Sequence, residues 1–150
     1  MTAAIRFNRQ TDPHPYLSNF YYAVFHVNNV AYKTSEHYFQ AQKFSHVPAY
    51  FGKIVACDSP MIAARLGRSR KQPLRTDWNE VRDDVMREAI RFKFTQNIEL
   101  KQQLLDTGEA ELIEHRKADS YWGDGGDGSG LNKLGLLLME LRQQLCEEIE

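Results

Sequence analysis

Three side chains in the segment Thr34–Phe44 are of types that can do chemistry together: Glu36, Gln40 and Lys43. Read as a helix, seven residues make two turns less about 20°, so Glu36 and Lys43 share a face. Gln40 lies between them along the axis, about 40° to one side. The ridge offers a carboxylate, an amide and an amine, which is an acid/base group beside a nucleophile. Taken alone, the segment is first a solvated charged helix face, because most charged helix faces are that. Another part of the chain shifts the balance.

That part is Asp119–Gly135, with five glycines in the eight positions 123–130 and an apolar helix after it, Leu134 to Leu145. Glycine permits positive φ and close backbone approach to a ligand, and a helix start offers N–H groups to an anion. A mere connector does not need Trp122 before the glycines and Asn132 after them, so the segment is expected to be a ligand loop. Gly123, Gly125 and Gly128 match G-x-G-x-x-G, but no βαβ unit surrounds them, and a dinucleotide fingerprint is rejected. Asp119, Asp124 and Asp127 lack the twelve-residue ligand ladder of a calcium loop. No metal is expected.

Five basic residues, Arg65, Arg68, Arg70, Lys71 and Arg75, crowd one stretch without an acid. They make either a phosphate site, which arginine forks suit, or a solvated basic face that partners the acidic helix 80–88. Ser18 and Asn19 are of types that bond a base or a ribose, and equally of types that close a turn. Phe20, Tyr121 and Trp122 can stack on a heterocycle, whereas Trp78 has the spacing of helix core. Lys93, between Phe92 and Phe94, is expected to reach solvent along its stem.

Leu17–Phe20, Thr34–Lys43, Ser59-Pro60, Leu66-Gly67-Arg68, Met86, Lys93-Phe94, Leu105, Thr107, Asp119, Tyr121-Trp122-Gly123, Asn132, Leu134-Gly135 and Leu138-Met139 follow one another in a particular order. In that order they resemble the NADAR family, close to its YbiA-like branch, over about residues 5–145. The resemblance implies an N-glycosidase acting on phosphoribosylamino-pyrimidines, early riboflavin intermediates, to dispose of reactive metabolites. Other members it resembles remove ADP-ribose from guanine bases, so the base stays open. It implies catalytic roles for Glu36, Lys43 and Asp119, the last fixing ribose hydroxyls. It implies substrate contacts for Ser18, Asn19, Phe20, Gln40, Arg68, Tyr121, Trp122, Gly123 and Asn132, with Arg68 on phosphate and Trp122 and Gly123 placing the base. Lys43 would attack the ribose C1 and form an imine with the opened sugar; direct water attack aided by Glu36 is the alternative. A charged lysine is a poor nucleophile, so the covalent route demands a depressed pKa. A binding module for ADP-ribose or NAD without chemistry also accounts for the loop, the patch and the aromatics, but not for a co-facial glutamate and lysine. A purely structural partner protein fits the amphipathic helices and not the polar ridge.

The remaining sequence bounds these readings. The 150 residues are 42% hydrophobic and 26% charged, with net charge −1. That is ordinary for a globular chain and gives no global field toward nucleic acid or membrane. The expected partner is a small phosphorylated ribosyl-base substrate, nucleic acid entering only if ADP-ribosylated guanine is that substrate. No cofactor is expected, and the oligomeric state stays open. The first residues lack an apolar run, which predicts a cytoplasmic protein. Cys57 and Cys146 are expected to be reduced packing residues. The five histidines show no metal-ligand spacing. Residues 4–7, 24–27 and 30–32 have strand character, and Asn28-Asn29 suits a tight turn. Helices are expected from Thr34 or Ser35, from Pro48, from Ser59-Pro60, from Asp77 to about Phe94, over 97–106 and from Leu134. Glu111–His115 is a strand or a short helix. The fold class is mainly α: one multihelical domain over 1–150 with a small N-terminal β element.

Overall fold

The computed structural model describes residues 3–8 and 13–149. The chain forms two compact units, one of Tyr22–Asn97 and one of Met1–Tyr21 with Ile98–Glu150. The fold is mainly α with a small β component, as the sequence predicts.

The unit Tyr22–Asn97 opens with a hairpin of β2 (Phe25–Val27) and β3 (Val30–Tyr32), β1 (Ile5–Phe7) belonging to the other unit. Asn28 and Asn29 close it at φ 51° and 68°, the left-handed geometry that a two-residue turn requires and asparagine tolerates. The helices α1 (Ser35–Gln42), α2 (Pro48–Ala56), α3 (Pro60–Arg68) and α4 (Trp78–Gln96) follow. Thr34 caps α1, its hydroxyl accepting from His37 N. Ser59 does the same for α3, with Pro60 in the first helical position. Asp77 precedes α4 without a side-chain cap; its carboxylate is taken by Arg75, Nε at 2.6 Å and Nη2 at 3.0 Å.

Every residue of α1 from Ser35 to Ala41 is buried, because α2, α3 and α4 all pack on it. Aromatic rings do much of that packing. Tyr32 and Tyr38 meet edge to face at 4.9 Å, as do Phe39 and Trp78 at 5.1 Å and Phe44 and Tyr50 at 4.7 Å. His37 is fully buried within this core. Its Nε2 faces the Cys57 carbonyl at 3.0 Å, and a carbonyl only accepts, so Nε2 carries the proton. Nδ1 then accepts from the Thr34 hydroxyl at 2.7 Å. The imidazole thus ties the start of α1 to the turn after α2. Lys93 departs from expectation: it is 0% exposed, with its amine 5.0 Å from the Phe94 ring centroid. Position 93 falls on the buried face of α4 with Ala89, Ile90 and Phe94, which leaves its stem no route to solvent.

In the other unit β1 (Ile5–Phe7) pairs in parallel with β4 (Leu112–Glu114), so Glu111–His115 resolves as strand. A single 3-10 turn spans Pro15–Leu17; α5 is Ile98–Asp106 and α6 is Lys133–Ile149. Gly108, at φ 65°, follows the end of α5. Gly135 lets α6 lie against β4, since a Cβ there would overlap the Leu112 carbonyl oxygen. Cys146 is exposed on α6 and Cys57 partly so; both are free thiols, and Cys146 is not the packing residue expected. No helix among the described residues is long and apolar enough to cross a membrane.

Candidate active site

The predicted ridge exists, and it is buried rather than solvated. Glu36, Gln40 and Lys43 are 9%, 7% and 8% exposed. Glu36 and Gln40 are one turn apart on α1, and Gln40 Nε2 donates to Glu36 Oε2 at 2.7 Å. Lys43 is the C-cap residue of α1, still in right-handed helical geometry. Its amine approaches the Gly67 carbonyl at 3.5 Å and lies 5.7 Å and 5.8 Å from the ring centroids of Phe39 and Trp78. Burial among these groups pushes its pKa down to about 8; the Glu36 carboxylate pulls it up, and Arg70 and Arg68 push it down further. At pH 7 roughly a tenth of such an amine is uncharged, far more than for a lysine in water. This meets the electronic requirement for a lysine nucleophile.

The basic stretch divides. Arg75 is committed to Asp77 and donates to the Gln42 carbonyl. Arg70 caps the end of α3, donating to the Gly67 and Ser69 carbonyls at 2.8 Å and 3.0 Å. Arg68 is exposed and makes no side-chain hydrogen bond among the described residues, yet its charge reaches Lys43. Trp78 is core, as expected, and also floors the lysine amine. Gly67, present in the sequence only as part of Leu66-Gly67-Arg68, is a site residue to which the sequence assigns no role. Its physical signal is a glycine inside a helix pattern, which costs stability unless a close approach needs it.

The other predicted residues lie in the unit of Met1–Tyr21 with Ile98–Glu150. Ser18 is buried and its hydroxyl accepts from Phe20 N at 3.1 Å, closing a local turn. Asn19 is buried and Phe20 half-buried. Asp119 Oδ1 accepts from Tyr121 N and Trp122 N at 3.0 Å and 2.9 Å. The rings of Tyr121 and Trp122 are half-buried and meet edge to face at 4.9 Å. Gly123 is buried, and a Cβ there would come within 2.9 Å of two carbonyl oxygens. Asn132 spends its side chain on β4, Oδ1 accepting from Glu114 N at 2.9 Å and Nδ2 donating to Leu112 O at 2.9 Å. It thereby imitates a neighbouring strand.

The glycine loop is closed largely on itself. Gly125 N donates to Asp119 O, and Gly130 N to Asp124 O. Asp124 is buried, and its carboxylate accepts from His115 Nδ1, Gly126 N and Arg116 N. Burial alone would raise its pKa; these hydrogen bonds hold it below the ordinary carboxylate value. Asp127 accepts from Ser129 N and its hydroxyl. The start of α6 is not open to an anion in the way expected. Lys133 N and Leu134 N donate to the Tyr121 and Trp122 carbonyls at 3.0 Å, so the loop itself satisfies these first amides. No group of three or more His, Cys, Asp and Glu side chains among the described residues is placed to hold a metal.

Comparison with known proteins bears on this arrangement. The NADAR domain family matches residues 6–146. The chain is 50% identical over 144 residues to the N-glycosidase YbiA of Escherichia coli, covering 96% of this chain and 89% of that one. It is 39% identical to the N-glycosidase Npun_R5314 of Nostoc punctiforme, covering 94% and 92%. A riboflavin biosynthesis protein of Vibrio vulnificus is 44% identical over 98% of this chain, which spans 40% of that longer protein. The solved structure of E. coli YbiA superposes with a TM-score of 0.88 at 48% identity, covering 99% of this chain and 89% of that one. With a family match over nearly its whole length and relatives of this similarity, the chain belongs to the NADAR family.

Proposed function

We propose that this chain is an N-glycosidase that hydrolyses the ribose C1–N bond of phosphoribosylamino-pyrimidines, early intermediates of riboflavin biosynthesis. N-glycosyl hydrolysis is supported by the relatives named for it. The pyrimidine substrate is supported by the riboflavin biosynthesis protein among them. The observation that carries the mechanism is the buried Lys43 amine, with its pKa lowered to about 8 and the Glu36 charge acting on it.

Breaking the bond builds positive charge at C1 and negative charge on the departing base. The Glu36 carboxylate offsets the first and moves protons. The neutral Lys43 amine attacks C1, and the C1–N bond to the base breaks, with a proton following the base. The C1–O bond of the ring then opens as the remaining proton on nitrogen passes to the ring oxygen, which leaves a hydroxyl there and an imine between Lys43 and C1. Water adds to the imine and returns free lysine and ribose phosphate. Arg68, exposed and without a hydrogen-bonded partner among the described residues, is assigned to the phosphate. Contacts from Asp119, Tyr121 and Trp122 to ribose and base rest on the family resemblance.

The test is incubation with a phosphoribosylamino-pyrimidine and with ADP-ribosylated guanine, watching by mass for free base, with borohydride added during turnover. Free pyrimidine and a reduced sugar adduct on Lys43 are expected. Release of guanine alone would replace the substrate, and tight nucleotide binding without turnover would leave only a binding module. Lys43→Arg should be inactive, because guanidinium stays protonated and forms no imine. Near-normal rates in that variant would favour direct water attack from Glu36.

A further inference from the structure

Gly67 lies one residue before the end of α3, where glycine weakens a helix relative to alanine. Two features of its backbone explain its use there. Its carbonyl accepts from Lys43 Nζ at 3.5 Å and from Arg70 Nη1 at 2.8 Å. Its Cα faces the side chain of Gln40: a Cβ at position 67 would overlap Gln40 Oε1 and Cδ and come within 3.1 Å of Gln40 Cβ. Gln40 Oε1 is buried without a hydrogen-bond partner among the described residues, while Nε2 of the same amide holds the Glu36 carboxylate at 2.7 Å. What faces Oε1 from α3 is therefore the Gly67 Cα–H, a weak donor at best. The orientation of the amide follows from its other end, because a carboxylate accepts a hydrogen bond only from Nε2. That end is on Glu36.

We propose that Gly67 is a positioning residue for the reacting pair. Its missing side chain gives the Gln40 amide the space from which it orients Glu36, and its carbonyl holds the Lys43 amine. One backbone position on α3 thus sets the carboxylate and the amine relative to each other. This rests on the reading of Glu36 and Lys43 as the groups that act on C1.

Alanine at this position is a clean probe. The overlapped atoms are the far end of a flexible side chain, which can rotate away, and alanine is the better helix former. Gly67→Ala should fold and lose the placement of Gln40. The variants are Gly67→Ala, Gln40→Ala and the pair. In amide proton–nitrogen spectra, the Gln40 side-chain resonance is identified by its loss in Gln40→Ala. Its carboxylate-bonded proton should lie apart from free glutamine amides in the wild type and join them in Gly67→Ala. In kinetics, kcat should fall about tenfold or more in each single variant, the scale of a hydrogen bond to a charged group. KM should stay within about threefold. The pair should be no worse than the poorer single variant, because both changes remove the same contact. An unmoved Gln40 resonance in Gly67→Ala, or losses that multiply in the pair, would overturn the proposal. No turnover by the wild type on any C1–N substrate would instead sink the functional reading, and the spectra would still decide whether Gly67 places Gln40.

Discussion

The Lys43 amine is shielded from solvent by the protein and then only partly compensated. Burial lowers its pKa, Glu36 opposes that, and the arginines at 70 and 68 reinforce it. The pH dependence follows from the sign. With the neutral amine as the proposed nucleophile, kcat/KM should rise roughly tenfold per pH unit up to about 8 and level off above it. In Glu36→Gln the residual activity should show this limb at lower pH, because the group that raises the pKa is gone. A limb that stays put would mean that Lys43 is not what titrates. Arg68 makes the opposite test. Arg68→Ala removes a charge that lowers the pKa, so the limb should move up. It should also weaken phosphorylated substrates about ten- to hundredfold more than their dephosphorylated counterparts, the scale of a charge-assisted bond. Equal losses on both substrates, measured by competition assays, would assign Arg68 to structure.

At the scale of elements, local chemistry in the chain foretells most boundaries. Asn28-Asn29, Thr34, Ser59-Pro60 and Thr107-Gly108 each mark a turn or a helix end where the structure has one. Such signals are legible because the residue does its work within a few positions of itself. The glycines are harder to read, since one residue type serves two purposes. Gly52 is exposed in the middle of α2, and a Cβ added there would meet nothing within 4 Å, so Gly52→Ala should stabilise by about 0.5–1 kcal/mol. Gly135 on α6 sits against the Leu112 carbonyl and the Asn132 side chain, and backbone does not rotate away. Gly135→Ala should therefore cost about 1–3 kcal/mol despite the same gain in helix propensity. Urea unfolding of the two variants checks the contrast. Similar stability changes in both would show that α6 can shift on β4 without penalty. The start of α6, beyond the loop 123–130, also departs from expectation. In sequence it offers free amides to a ligand, and only the pairing of Lys133 N and Leu134 N with the Tyr121 and Trp122 carbonyls shows them spent.

At the scale of the whole molecule, the sequence does not tell which charged residues the packing will enclose. Helix periodicity places Glu36, Gln40 and Lys43 on one ridge, but the burial of that ridge by α3 depends on contacts far apart in the chain. Lys93 is the clearer case, expected at the surface and found enclosed, with burial pushing its pKa down to about 7. An enclosed amine leaves a mark on global stability. The unfolded chain keeps this lysine protonated up to its ordinary value of about 10.4, whereas the folded chain releases the proton from about 7. Over that interval the unfolded state binds more protons, so stability must rise with pH. Lys43 adds the same trend, centred about one pH unit higher. His37, its pKa lowered by burial, acts below its ordinary value of about 6.5, where the unfolded chain takes up the proton and stability falls with falling pH. Between pH 7 and 8 Lys93 is thus the principal source, worth about 1 kcal/mol across the window. Lys93→Met keeps the length of the stem and removes the charge. It should be more stable than the wild type at pH 7, rise only about a quarter as much as the wild type from pH 7 to 8, and rise more steeply above 8 where Lys43 titrates. Urea midpoints at half-unit pH steps measure all three features. A variant less stable at pH 7 with the wild-type slope intact would mean that the amine's bonds outweigh its burial, and that another group sets the pH dependence.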